Sequence, residues 1–147
     1  MAGRAPKSER TKGEPFTVRL TAVTQQAIED EARRSRRTRT ALVEELIDEA
    51  LRTRRFPGIA FRDSFPHRRA WLIGAGIDVW ELCDLVDRYP DVDTLLEDFP
   101  GIAHRHVELA LAYRDAFSDE IAEQIAENER DPQEWRRIAP FIRDARR

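Results

Sequence analysis

Cysteine is nearly absent from this chain. Cys83 stands alone, so neither an internal disulfide nor a cysteine-based zinc site can form. Lysine is almost as scarce: only Lys7 and Lys12 occur, and arginine supplies nearly all the positive charge. No run of about 18 apolar residues exists, which excludes a membrane-spanning helix. The opening "MAGRAPKSERTKGEP" lacks the apolar centre of a secretory signal. Residues 1–14 read instead as a disordered, mildly basic arm. There is no internal repeat. Together these absences predict a cytoplasmic protein.

What is present is charge. Of 147 residues, 36% are charged and 41% are apolar, enough for one compact domain or two small ones. The net charge of −3 conceals an asymmetry: residues 1–55 carry +4 and residues 56–147 carry −7. A basic first segment joined to an acidic remainder suggests two modules with different partners.

The stretch "EPFTVRL", Glu14–Leu20, alternates as a β-strand does. Phe16, Val18 and Leu20 share one face; Thr17, Arg19 and Thr21 share the other. Helical spacing begins near Ala22, with Ile28 and Ala32 on one face. "RRSRRTR", Arg33–Arg39, interrupts the apolar pattern; taken alone it is a solvated charge run. Thr38 then has the character of an N-cap for a second helix, whose stripe is Leu42, Val43, Leu46, Ile47, Ala50 and Leu51. "RFPG" closes it. "IAFRDSFPHRRAWLI", Ile59–Ile73, predicts a hairpin, and "GAG" at Gly74–Gly76 a turn. From Asp78 onward the pattern is helical, with breaks at Pro100 and Pro140.

A strand with no nearby partner poses a problem. One strand and two helices, roughly 40 residues, cannot enclose a core alone, and the strand's backbone groups need partners. Two copies solve both. Their strands pair antiparallel over four interlocked helices. Phe16, Val18 and Leu20 point into the shared core, and Thr17 and Arg19 point outward from a ribbon that fits the DNA major groove.

Residues 15–55 resemble the ribbon-helix-helix family of bacterial repressors and antitoxins. The resemblance rests on "FTVRL", "TAVTQQAIEDEARR", "RRTRT" and "ALVEELIDEAL". It implies an obligate dimer that reads bases through Thr17 and Arg19, with Thr21 beside them. It also implies a phosphate at Thr38, Arg39 and Thr40. Helix N-termini favour anions, which agrees. Many members carry a glycine in the inter-helix turn; this chain has none there.

Residues 56–130 resemble the small helical family called domain of unknown function 433. The matching residues are Ile73–Gly76, Asp78–Trp80, Leu95–Pro100 and Ala110–Tyr113, although "GAGIDVW" lacks the arginine and proline that many members carry. Such domains often accompany VapB-type antitoxins, whose partners are PIN-like ribonuclease toxins. The resemblance therefore implies an antitoxin that represses its own operon. The expected fold is mainly α: a dimeric ribbon-helix-helix module, then a small β-hairpin and a helical, helix-turn-helix-like domain.

The last segment, 131–147, "DPQEWRRIAPFIRDARR", gathers Trp135, Ile138, Phe141 and Ile142 roughly on one side, with Arg136, Arg137 and Arg143 among them. Apolar groups near a chain end suit docking. Trp135, Arg136, Arg137, Phe141 and Arg143 are the candidate toxin-binding residues; an inserted arginine could neutralise the clustered carboxylates of a PIN-like active site. The alternative is that this segment packs on its own domain.

Other constellations read as structural. "LIGAGIDV" invites a dinucleotide-binding reading, but Val79 stands where the third glycine belongs and the chain is too short for the parallel sheet. His104 and His106, two apart, do not share a helix face and read as helix-start or surface residues; His67 falls in a turn. Cys83, Trp71 and Trp80 read as core. The acidic clusters come with no nucleophile, pocket or metal spacing. We therefore expect no enzyme activity, cofactor, metal, membrane association or small-molecule substrate. "DVDTLLEDFPGIAHRHVELALAYRD" has a helix-turn-helix layout in which Arg105 and His106 could meet DNA, but its negative charge favours a structural or protein-contact role. The functional alternative is a stand-alone dimeric repressor whose C-terminal module mediates oligomerisation or senses a ligand.

Overall fold

The computed structural model describes residues 13–15, 17–63 and 68–130. Phe16, His67 and the proposed toxin-docking residues Trp135, Arg136, Arg137, Phe141 and Arg143 lie outside the described residues. The described chain is 63% helical, with six helices and one two-stranded antiparallel sheet. None of those helices is long and apolar enough to cross a membrane. The chain divides into two compact units, residues 1–44 and 45–147, with the division inside the second helix.

In the first unit, α1 spans Ala22–Arg34 and α2 begins at Arg39 and runs to Arg55. The Thr21 hydroxyl accepts from the Thr24 N–H at 3.2 Å, so Thr21 is the N-cap of α1. α1 ends in a left-handed turn. Arg36 has φ +55°, Arg36 N–H donates to the Arg33 carbonyl at 3.3 Å, and Arg37 N–H donates to the Ala32 carbonyl at 2.9 Å. That is the two-bond Schellman closure, with arginine in the position glycine usually takes. The expected N-cap at Thr38 is present: its hydroxyl accepts from Ala41 N–H at 3.2 Å. Ala32 and Leu42 are the buried apolar residues of this unit among those described.

The expected strand at Glu14–Leu20 is not formed among the described residues of that stretch. Thr17–Thr21 is neither helix nor strand. A strand exists through its ladder, and the only ladder among the described residues lies elsewhere, in the hairpin.

The second unit carries the core. β1 (Ile59–Asp63) and β2 (Arg68–Leu72) pair from Ile59 opposite Leu72 to Asp63 opposite Arg68. This register puts Ile59, Phe61, Ala70 and Leu72 on one face, where they meet the helices. α3 (Val79–Arg88), α4 (Val92–Asp98), α5 (His104–Ala116) and α6 (Ser118–Asn128) follow. The first three start on side-chain caps: Glu81 accepts from Asp78 N–H at 2.9 Å, Asp91 from Thr94 N–H at 2.8 Å, and the His106 Nδ1 from Ala103 N–H at 3.0 Å. Leu72, Val79, Leu82, Cys83, Leu95, Val107, Ala110, Tyr113 and Ile121 fill the interior with Ile59. Cys83 is in the core as expected. Burial pushes its thiol up to about 11, so it is protonated at neutral pH. Trp80 is buried as expected, whereas Trp71 is only half-buried, its ring under the Arg62 guanidinium at 5.3 Å.

The C-terminal part of α2 belongs to this unit. Phe56, just beyond its end, stacks edge-on against Tyr113 and Phe117. Arg52 reaches the Tyr113 hydroxyl at 2.8 Å and Glu120 at 2.5 Å, and lies over the Phe117 ring at 4.0 Å. Arg68 closes onto Glu49 through two hydrogen bonds, at 2.6 and 3.1 Å. Burial raises the Tyr113 hydroxyl above its ordinary value, and the negative Glu120 beside it pushes the same way.

Candidate nucleic-acid interface

Thr17 and Arg19 lie in the exposed stretch before α1 and make no side-chain hydrogen bond among the described residues. Their apolar neighbours Val18 and Leu20 are 59% and 47% exposed, and Val23 in the first turn of α1 is 81% exposed. The apolar face of this alternating segment is not covered by any of the described residues. Leu46, Ile47 and Leu51 on α2 are exposed as well. Covering a half-exposed side chain of this size is worth about 1 kcal/mol.

The remaining expected contacts gather at the start of α2. Arg39 is its first residue and Thr40 the next, both exposed. Thr38 caps this end through its hydroxyl, so its side chain is already engaged. Thr21 is likewise engaged, at the start of α1. Arg39 donates to the Glu29 carboxylate of α1 at 3.1 Å. The arginine-rich turn is in fact laced with acids one helical turn back: Arg33 pairs with Asp30 at 3.6 Å, and Arg34 with Glu31. The sequence alone presents "RRSRRTR" as a solvated charge run; its pairing with acids of α1 is a finding of the structure. The signal was there in "EDE", Glu29–Glu31, at helical spacing from the arginines.

In the second unit a shallow groove opens between the base of the hairpin and the start of α5. Pro57, Gly58, Ile73, Arg105, His106 and Leu109 line it, together with Glu108. Ile73 is 53% exposed there. Gly58 sits at φ +106°, and a Cβ on it would come 2.9 Å from Leu109 Cδ2, so the turn and the helix meet closely at this point. His106 is buried and its Nδ1 is committed to the α5 cap, which removes it as a DNA contact of the helix-turn-helix-like α4–α5 pair. Arg105 is exposed. His104 is exposed beside Asp93 at 3.4 Å, away from the buried His106 ring.

No family model matches the chain, and neither curated proteins nor solved structures gave a match.

Proposed function

We propose that this chain is the antitoxin of a bacterial type II toxin–antitoxin pair, acting in the cytoplasm and without catalysis of its own. Two copies pair residues 15–20 as an antiparallel ribbon that enters the operator major groove. Thr17 and Arg19 read bases there, and the α2 start meets a phosphate through Arg39 and Thr40. Arg19 matches guanine bidentately, and Thr17 matches a thymine methyl or a base edge. The second unit, with residues 131–147, binds and blocks a PIN-like ribonuclease.

The observation that carries this reading is the segment Thr17–Leu20. It alternates apolar and polar residues, it stands exposed, and no strand among the described residues pairs with it. A second copy supplies both the missing ladder and the cover for Val18 and Leu20. The charge asymmetry supports the division of labour, with a basic end for DNA and an acidic end for a protein partner.

Two measurements test the proposal together. Arg19→Ala is expected to abolish sequence-specific duplex binding in a mobility-shift assay while sedimentation still shows a dimer. Undiminished specificity would remove the ribbon from the DNA interface. Co-expression with the neighbouring gene is expected to yield a stable complex that suppresses a nuclease. A chain that binds its operator but captures no nuclease would be a stand-alone repressor instead.

A further inference from the structure

The groove at the base of the hairpin lies wholly within the second unit, and it gathers three groups that the fold leaves unused. The first is a hydrogen-bond donor. His106 is 5% exposed, and its Nδ1 accepts from Ala103 N–H at 3.0 Å. The proton of the neutral ring therefore sits on Nε2. That nitrogen lies beside the Gly74 turn, 3.8 Å from where a Cβ on Gly74 would stand, and it has no partner among the described residues. Because His106 lines the groove, an acceptor can reach Nε2 from there. The second group is a cation. Six arginines of this unit, Arg52, Arg62, Arg68, Arg69, Arg88 and Arg114, hold a carboxylate. Arg105, on the groove's rim, holds none among the described residues, although Glu108 stands three residues along α5, the spacing at which such pairs form. The third is apolar: Ile73 is half-exposed, with Leu109 and Pro57 beside it.

We propose that this groove docks a segment of a partner protein that carries an aliphatic side chain next to a carboxylate. The aliphatic group covers Ile73 and Leu109. The carboxylate accepts from the His106 Nε2–H and faces the Arg105 guanidinium, a fixed neutral donor and a cation on one side of the same space. Glu108, on the same rim, sets the other flank: it repels a second acid and favours a basic residue there. The complement of this rim is therefore acid, aliphatic, base. The groove's shape favours a protein segment over a free small molecule. The space is about 490 Å³ and shallow. A compact ligand lying in it would keep much of its surface in water, whereas small-molecule sites enclose most of theirs. A segment of a larger body covers the open side itself. The inference needs neither the DNA contact nor the nuclease proposed above.

The test pans a displayed library of random peptides against the full-length protein and titrates the enriched consensus peptide. The expected consensus carries Asp or Glu beside Leu, Ile or Val. Ile73→Asp, at a side chain already half in water, should weaken that peptide roughly ten-fold or more with the unfolding midpoint unchanged. Should the midpoint fall, the Arg105 exchange decides alone. Panning against Arg105→Glu should enrich a base where the wild type enriches an acid. In the imidazole nitrogen spectrum, saturation with the peptide should shift His106 Nε2 and leave His104, exposed beside Asp93, in place. A consensus without an acid, or one that Arg105→Glu leaves unchanged, overturns the inference. So does a library that enriches nothing on the wild type over Ile73→Asp. So does free isovalerate that shifts the Nε2 resonance at micromolar concentration while no peptide does, which would make the groove a metabolite site.

Discussion

Arg36 shows how a single residue can hide from sequence reading. It holds the left-handed position of the Schellman turn with both closing hydrogen bonds made around it, yet arginine carries no turn signal. The missing glycine in this turn was legible; that the turn keeps the glycine conformation without it was not. A Cβ in that region costs roughly 1–2 kcal/mol, partly offset by the extra freedom glycine has when unfolded. Arg36→Gly should therefore stabilise the protein by about 0.5–1 kcal/mol in urea denaturation, and Arg36→Ala should not reproduce the gain. His106 is a second case. The sequence placed it at a helix start, but the acceptor role of its Nδ1 toward Ala103 depends on a ring buried against the hairpin base. Burial first, then the neighbouring Arg105, holds its pKa below the usual histidine value. Protonation therefore favours the unfolded chain. The stabilisation is complete above the ordinary value of about 6.5 and is lost as pH falls from there toward the lower folded value. His106→Gln, whose amide oxygen can accept from Ala103, should flatten that part of the stability profile with Arg105 and Glu108 left in place.

At the scale of elements, local chemistry was legible and distant pairing was not. The hairpin was written in Ile59–Ile73, the cap in Thr38, and the helical run in the residues from Asp78 onward, because each depends on neighbours within a few positions. The ion pair between Arg69 of β2 and Glu127 of α6 depends on two elements meeting across 58 residues. No sequence period announces it. Both side chains are 8% exposed, their contact is 3.2 Å, and the Arg69 guanidinium lies 5.3 Å from the Trp80 ring centre. Removing one partner of such a pair strands the other charge. Glu127→Gln should cost roughly 3–5 kcal/mol, whereas replacing both with apolar groups is often neutral. The double variant Arg69→Met/Glu127→Leu, which keeps a polarizable group on Trp80, should recover most of that loss. If the single and double variants unfold at the same denaturant concentration, the pair is not what joins β2 to α6.

For the whole molecule, the two units differ in what they can hold together unaided. Among the described residues, the second unit buries fourteen apolar side chains in one cluster, while the first buries Ala32 and Leu42. The first unit also leaves Val18, Leu20 and Val23 in solvent. A core of two side chains cannot offset the conformational entropy of fixing α1, the start of α2 and the segment before them, so the first unit should gain its stability from a second copy. The second unit should not need one. Heating should then resolve two transitions. The one belonging to the first unit should climb with protein concentration, because each tenfold increase adds about 1.4 kcal/mol to a two-chain equilibrium. The one belonging to the second unit should stay fixed. Val18→Asp should remove the first transition without moving the second, since it places a charge in the proposed seam between copies and leaves the Tyr113–Leu82–Ile59 core untouched. Scanning calorimetry over a hundredfold range of concentration decides the matter. A single transition at constant temperature would mean that the first unit is held up by its own chain, and the unpaired segment before α1 would lose its reason to form a ribbon.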